Sequence, residues 1–93
     1  MNQAILFSDN EQYNVELQQV EFTAQCQGAL ITCIVSVDNL FHLNDKNAEL
    51  QETSETIALS LFESARFDIE EIAEQMINDQ DLTEHGNVYL KPR

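Results

Sequence analysis

Cations are scarce in this chain. Four Lys or Arg stand against seventeen Asp or Glu, a formal charge of −13 over 93 residues. Residues 1–44 hold no Lys or Arg at all; Lys46, Arg66, Lys91 and Arg93 lie in the second half. Direct binding to nucleic acid needs a cationic stripe against the phosphates, and the chain has none to offer. An anionic membrane surface repels it for the same reason. Glycine is scarce too: two residues leave no phosphate-cradling loop, and no familiar nucleophile motif replaces it. No run approaches the ~20 apolar residues of a membrane span. The opening MNQAILFSDNEQ has no basic segment and no long apolar one, so a secretory signal is not expected and a cytoplasmic location is.

The acidic excess has three readings: a charge that keeps a small protein soluble, a face for a basic protein partner, or a mimic of DNA. Length adds a bound. A chain of this size is expected to form a single domain, residues 1–93, burying roughly 60–65% of its unfolded surface. That favours a shallow surface or a dimer groove over a deep cleft. A hydrophobic fraction of 43% is ordinary for a folded domain.

The clearest pattern is an alternation. Val20, Phe22, Ala24 and Cys26 interleave with Glu21, Thr23 and Gln25; Gln27-Gly28 follows, then Ala29 to Val37. Period two is the signature of a half-buried strand. With Gln27-Gly28 as a two-residue turn, Phe22 faces Cys33, Ala24 faces Ile31 and Val20 faces Val35 on one apolar face. Glu21–Ile34, Thr23–Thr32 and Gln25–Leu30 form the other. A slip of one residue destroys this separation. The register holds Cys26 and Cys33 four residues apart along a strand, roughly 13 Å, whereas a disulfide needs Cα atoms within about 7 Å. Both thiols are therefore expected to be free and to pack as small hydrophobes.

Around the hairpin, Ala4-Ile5-Leu6-Phe7 reads as a first strand over residues 3–7. Residues 8–18 read as a loop with Tyr13 and Val15 turned inward. Ser36 or Asp38 caps a short helix through Leu43, and residues 44–47 are a turn. From Ala48 to Asn78 there is neither Gly nor Pro. Ala58, Phe62, Ala65, Ile69, Ile72 and Met76 step by three and four, one helical seam. Asp68 and Glu71 are spaced as a capping box and invite a break near Phe67, but the seam runs through it. One long helix is expected, with a kink near residue 67 as the alternative. Residues 79–86 form a polar loop, and 87–91 a last strand.

Phe22, Ala24, Gly28, Ile31, Cys33, Ser36 and Leu40, then Phe62, Arg66, Ile69, Glu70, Ala73 and Ile77, and finally Gly86, Val88 and Leu90, resemble a proteobacterial family of short proteins catalogued as a domain of unknown function. The resemblance spans nearly the whole chain, and is poorest over residues 41–57. It implies a small α+β fold. It brings no substrate, cofactor or catalytic residue to carry over, although some members bear a loose regulator label.

Candidate chemistry is thin. Glu63, Glu70, Glu71 and Glu74 crowd one helix, but point away from the seam and lack the inward Glu-x-x-His of a bundle metal site; a solvated face is expected. His42 and His85 each neighbour an acid, Asp45 and Glu84, yet nothing in the sequence brings them together as an acid–base pair. Leu40, Phe41 and Leu43 read as a core plug. No catalytic residue, metal ligand or cofactor is assigned. Phe67 is the exception. On a wheel of 100° per residue it lies about 20° from Glu74, about 40° from Glu63 and Glu71, and about 60° from Glu70. An aromatic ring among carboxylates either packs on the chain's own loop or at a kink, or anchors a contact with a second subunit or a partner.

The expected fold is α+β, a small, mostly antiparallel sheet of about four strands covered on one face by a long helix in the second half. The expected function is a non-enzymatic interaction or regulatory module. It acts as a homodimer through the helix and recognises a basic protein partner, with Phe67, Glu63, Glu70, Glu71 and Glu74 as the candidate contact. The alternative is a small-molecule-binding domain with a pocket between helix and sheet.

Overall fold

The computed structural model describes residues 5–44 and 54–91. The expected strand start at residues 3–4, the turn over 45–47, the polar stretch 48–53 and Pro92 lie outside the described residues.

The fold grows from the hairpin. β3 (Gln19–Cys26) and β4 (Ala29–Ser36) pair antiparallel. Their partners are Val20↔Val35, Phe22↔Cys33 and Ala24↔Ile31, with Glu21↔Ile34, Thr23↔Thr32 and Gln25↔Leu30 between them. This is the register read from the alternation. The turn is tight because Gln27 and Gly28 both take positive φ, 53° and 82°, the geometry that matches the twist of two antiparallel strands. Gln27 accepts a conformation that is rare for a side chain of its size.

β1 (Ile5–Phe7) and β2 (Gln12–Asn14) share the other side of β3. β1 pairs with its end, Ile5↔Cys26 to Phe7↔Ala24; β2 pairs with its start, Gln12↔Glu21 to Asn14↔Gln19. The expected loop over 8–18 therefore contains a strand. Its sequence, QYN, has no apolar alternation to announce it; the edge of β3 makes it a strand. Tyr13 is half-buried, but Val15 is 66% exposed rather than turned inward, beyond the end of the pairing.

α1 (Val37–Leu43) follows at once, capped by the Ser36 hydroxyl accepting from the Asn39 N–H. Leu40 and Phe41 are buried, and Leu43 packs against the core. The expected long helix is two: α2 (Glu55–Ser64), capped by Ser54, and α3 (Arg66–Asn78). The break falls at Ala65, with φ −108° and ψ 15°, and not at Phe67. Asp68 lies in the first turn of α3 and not at its N-cap, which is Ala65, and no side-chain hydrogen bond caps the helix there. The ladder survives almost intact, because the Ala65 N–H reaches both Leu61 and Phe62 carbonyls and Ile69 donates to the Ala65 carbonyl. The seam stays in phase for that reason, and Ala58, Phe62, Ala65, Ile69 and Met76 are all buried. Asn44 ties the helices together, its Nδ2 donating to the carbonyls of Leu40 and Leu61 at 2.8 and 3.1 Å.

The three helices return the chain so that β5 (Val88–Tyr89) adds to β4 in parallel, Cys33↔Val88 and Ile34↔Tyr89. The result is α+β: a mostly antiparallel five-stranded sheet with helices over one face. Phe22 meets Phe62 edge-on at 5.1 Å in the layer between them. The far face, carrying Thr23, Gln25, Leu30 and Thr32, is left uncovered among the described residues.

Candidate functional site

Phe67 sits in the first turn of α3 and is 86% exposed. It neither packs on a loop of the described chain nor fills the break. Down α3 from it run Glu71, Glu74 and Asn78, at offsets of four, seven and eleven residues, which align them on one stripe of the helix. Across from this stripe lie Ile5 and Phe7 of β1. Between them is an open trough of about 350 Å³, lined among others by Phe67, Glu70, Glu71 and Glu74, with no basic residue in its lining. Its floor is apolar because Ile5 and Phe7 turn toward the core, where Phe7 lies 6.1 Å from Phe22. Its wall is anionic because α3 spends its apolar residues on the seam.

The other members of the acidic group behave differently, and this corrects the expectation of a wholly solvated face. Glu63 and Glu70 turn to Arg66. The Arg66 guanidinium contacts Glu63 at 2.6 Å, Glu11 at 2.7 Å, Asp9 at 3.5 Å and Glu70 at 3.7 Å. It also lies over the Phe62 ring, 5.0 Å from the centroid. Its side chain is 16% exposed. The hydrogen bonds it donates to Glu63, and then to the Glu11 carboxylate, hold it even more firmly charged than a free arginine, against the opposing cost of burial. Glu11 and Asp9 come from the connection between β1 and β2, 55 and 57 residues away in sequence. Arg66 thus pins the α2–α3 junction to the sheet edge. Sequence reasoning did not find this cluster. The signal available was that Arg66 is the sole cation between Lys46 and Lys91.

Elsewhere the chemistry is sparse. Cys33 is buried under the helices, and loss of hydration pushes its thiol up to about 12 from 9.0, a hydrogen bond with the Ala24 backbone opposing this. Neither cysteine forms a disulfide, and Cys26 stands opposite Ala29. His85 lies 3.8 Å from Glu84 with both side chains exposed, and His42 is exposed on α1. Among the described residues no group of three or more His, Cys, Asp or Glu is arranged to hold a metal ion. No helix among them is long and apolar enough to cross a membrane. A second trough of about 340 Å³ lies at the far end of α3, beside Met76, and there Lys91 pairs with Asp81.

Known proteins are similar to this chain in sequence, and one of them in solved structure. The family model described as a protein of unknown function (DUF1488) matches residues 5–90. The uncharacterized protein YrdB of Escherichia coli strain K12 is 33% identical over 90 residues, covering 97% of this chain and 99% of the relative. YrdB of Shigella flexneri is 32% identical over the same length. The crystal structure of a DUF1488-family protein of unknown function from Shewanella loihica PV-4 superposes with a TM-score of 0.85 at 38% identity, over 97% of this chain and 94% of that one.

Proposed function

The chain belongs to the DUF1488 family of proteins of unknown function, and from that premise we propose that it is a non-enzymatic interaction or regulatory module of the cytoplasm that recognises a basic protein partner. The observation that carries this reading is Phe67, 86% exposed at the mouth of a trough whose charged lining is entirely carboxylate. An exposed aromatic beside an apolar floor supplies the area that anchors an interface. The surrounding acids add selection, since unlike charges speed encounter and like charges repel the wrong partner. A homodimer through the same ring is the second form of the reading. It places the two Phe67 rings together with the carboxylates held apart about a two-fold axis.

A small-molecule ligand remains the alternative. The trough's volume falls at the low end of the ~300–1,000 Å³ typical of ligand pockets. Its open form and acidic wall favour an extended cationic segment over an enclosed ligand.

The test is photocrosslinking in cells with benzoylphenylalanine in place of Phe67, and in place of Leu30 on the bare sheet face as control. The expected result is an adduct at position 67 with a defined basic protein, suppressed by Glu74→Lys. An adduct of twice the chain's mass identifies the dimer instead. Equal, diffuse labelling at both positions defeats both forms. Phe67→Ala is expected to leave the melting temperature nearly unchanged, because so exposed a ring stabilises little by burial.

A further inference from the structure

The ladder between β1 and β3 determines where the spare main-chain groups of β1 point. The Ser8 N–H donates to the Thr23 carbonyl at 3.0 Å, and Ser8 continues the register in which Ile5 faces Cys26 and Phe7 faces Ala24. In an antiparallel pair, hydrogen-bonded and non-bonded positions alternate. Leu6 therefore bonds to Gln25, while the N–H and C=O of Ile5 and Phe7 turn away from β3. The opposite side of the hairpin agrees, since a two-residue turn makes Cys26 and Ala29 a bonded pair and commits the main chain of Cys26 and Ala24 to β4. No main-chain hydrogen bond to the outward groups of Ile5 and Phe7 forms among the described residues. Among the described residues β1 is an outer strand with no neighbour beyond it.

These same two residues floor the acidic trough. The edge is short, but Ile5-Leu6-Phe7 carries neither a charge nor a proline to block a further strand. We propose that the trough between β1 and α3 takes an extended, lysine- or arginine-bearing peptide of a partner protein as an added strand on β1. The peptide's main chain bonds to Ile5 and Phe7, alternate side chains rise toward Phe67, Glu71 and Glu74, and the rest face solvent. β1 offers about 10 Å of edge, and α3 flanks it for about 16 Å from Phe67 to Asn78, so the bound segment is short. Strand addition divides the work in the usual way: main-chain bonds give affinity, and side-chain positions on one face give specificity. The charge decides the occupant. A second copy of this chain, at −13, has little to set against the carboxylates, and a basic strand neutralises them.

This inference rests on the basic-partner reading above, and the experiment separates the two. The probe is a fluorescein-labelled, end-capped hexapeptide of alternating lysine and valine, titrated with the full chain by fluorescence anisotropy. A glutamate–valine peptide is the control. Two further peptides carry N-methyl groups, one on the three lysine amides and one on the three valine amides. In a strand, alternate residues present their N–H to the same side. One methylated series is therefore expected to bind at least about tenfold more weakly, and the other within about twofold of the parent. Which series fails reports the strand's direction. If both methylated series bind like the parent while Glu74→Gln still weakens all three, strand addition is wrong and the basic-partner reading stands. If both series weaken equally, strand addition is wrong. If the lysine–valine parent binds no better than the glutamate–valine control, the charge argument falls and takes the basic-partner reading with it.

Discussion

Replacing Arg66 with methionine removes the one cation from a cluster of four carboxylates while keeping an apolar stem against Phe62. The largest loss is at Glu11, whose side chain is 20% exposed. A charge-assisted hydrogen bond to a partly buried carboxylate is worth about 1.5–3 kcal/mol. The contact over Phe62 adds about 0.5–1 kcal/mol, of which methionine retains a part. Asp9 is 92% exposed and Glu63 67%, so those pairs contribute tenths at most. The expected cost is about 2–3 kcal/mol. For a domain of this size each kcal/mol moves the melting temperature by roughly 4–8 °C, so Arg66→Met is expected to melt some 10–20 °C lower. Circular dichroism at 222 nm reads this directly. Arg66→Lys is expected to recover only part of the loss, because a point charge cannot reach carboxylates on both sides as a fork does. A cycle with Glu11→Gln is expected to give a coupling of about 1–2 kcal/mol. Melting of Arg66→Met within about 3 °C of the parent refutes the idea that this cluster joins helix to sheet edge.

Two further perturbations test the sheet. Cys33 keeps its proton in the folded state up to about pH 12, whereas the unfolded thiol loses it near 9.0; above pH 9 the unfolded chain binds fewer protons, so stability falls as pH rises. The full contribution is present below pH 9, and denaturant titrations are expected to show about 2 kcal/mol lost from this group between pH 9 and 10.5, a slope that Cys33→Ala removes. Gly28→Ala meets no atom within 4 Å, yet φ is +82°, so the cost is backbone strain alone. About 1 kcal/mol is expected, and a variant that melts at or above the parent temperature contradicts the turn geometry.

The hairpin was legible because its determinants are local. Two residues of turn and eight of strand on either side set every pairing, and one misplaced residue turns Phe22 and Cys33 to water. The helical seam was legible for the same reason, since three-and-four spacing reports which side of the chain is buried. It was blind to the break at Ala65, because a single residue with altered ψ leaves the phase intact. There is no Gly or Pro at the break to signal it. What coincides with it is the tether from Arg66 to Glu11 and Asp9. In the site, the wheel placed Phe67, Glu71 and Glu74 on one stripe correctly. It could not separate them from Glu63 and Glu70, whose partner is reached through contacts more than fifty residues apart.

Sequence alone determined the acidic excess, the apolar sheet face, the register of β3 on β4 and the placement of an aromatic among acids, whose exposure the structure decided. Each follows from charge count or from a period that the backbone imposes. Tertiary structure decided the rest. β2 became a strand because β3 offered an edge to a polar segment. β5 ran parallel because the chain, after its helices, came back to the end at which β4 begins. The trough exists because α3, bent at Ala65, leaves β1 uncovered at its rim. These are properties of surfaces meeting, and no local spacing encodes them.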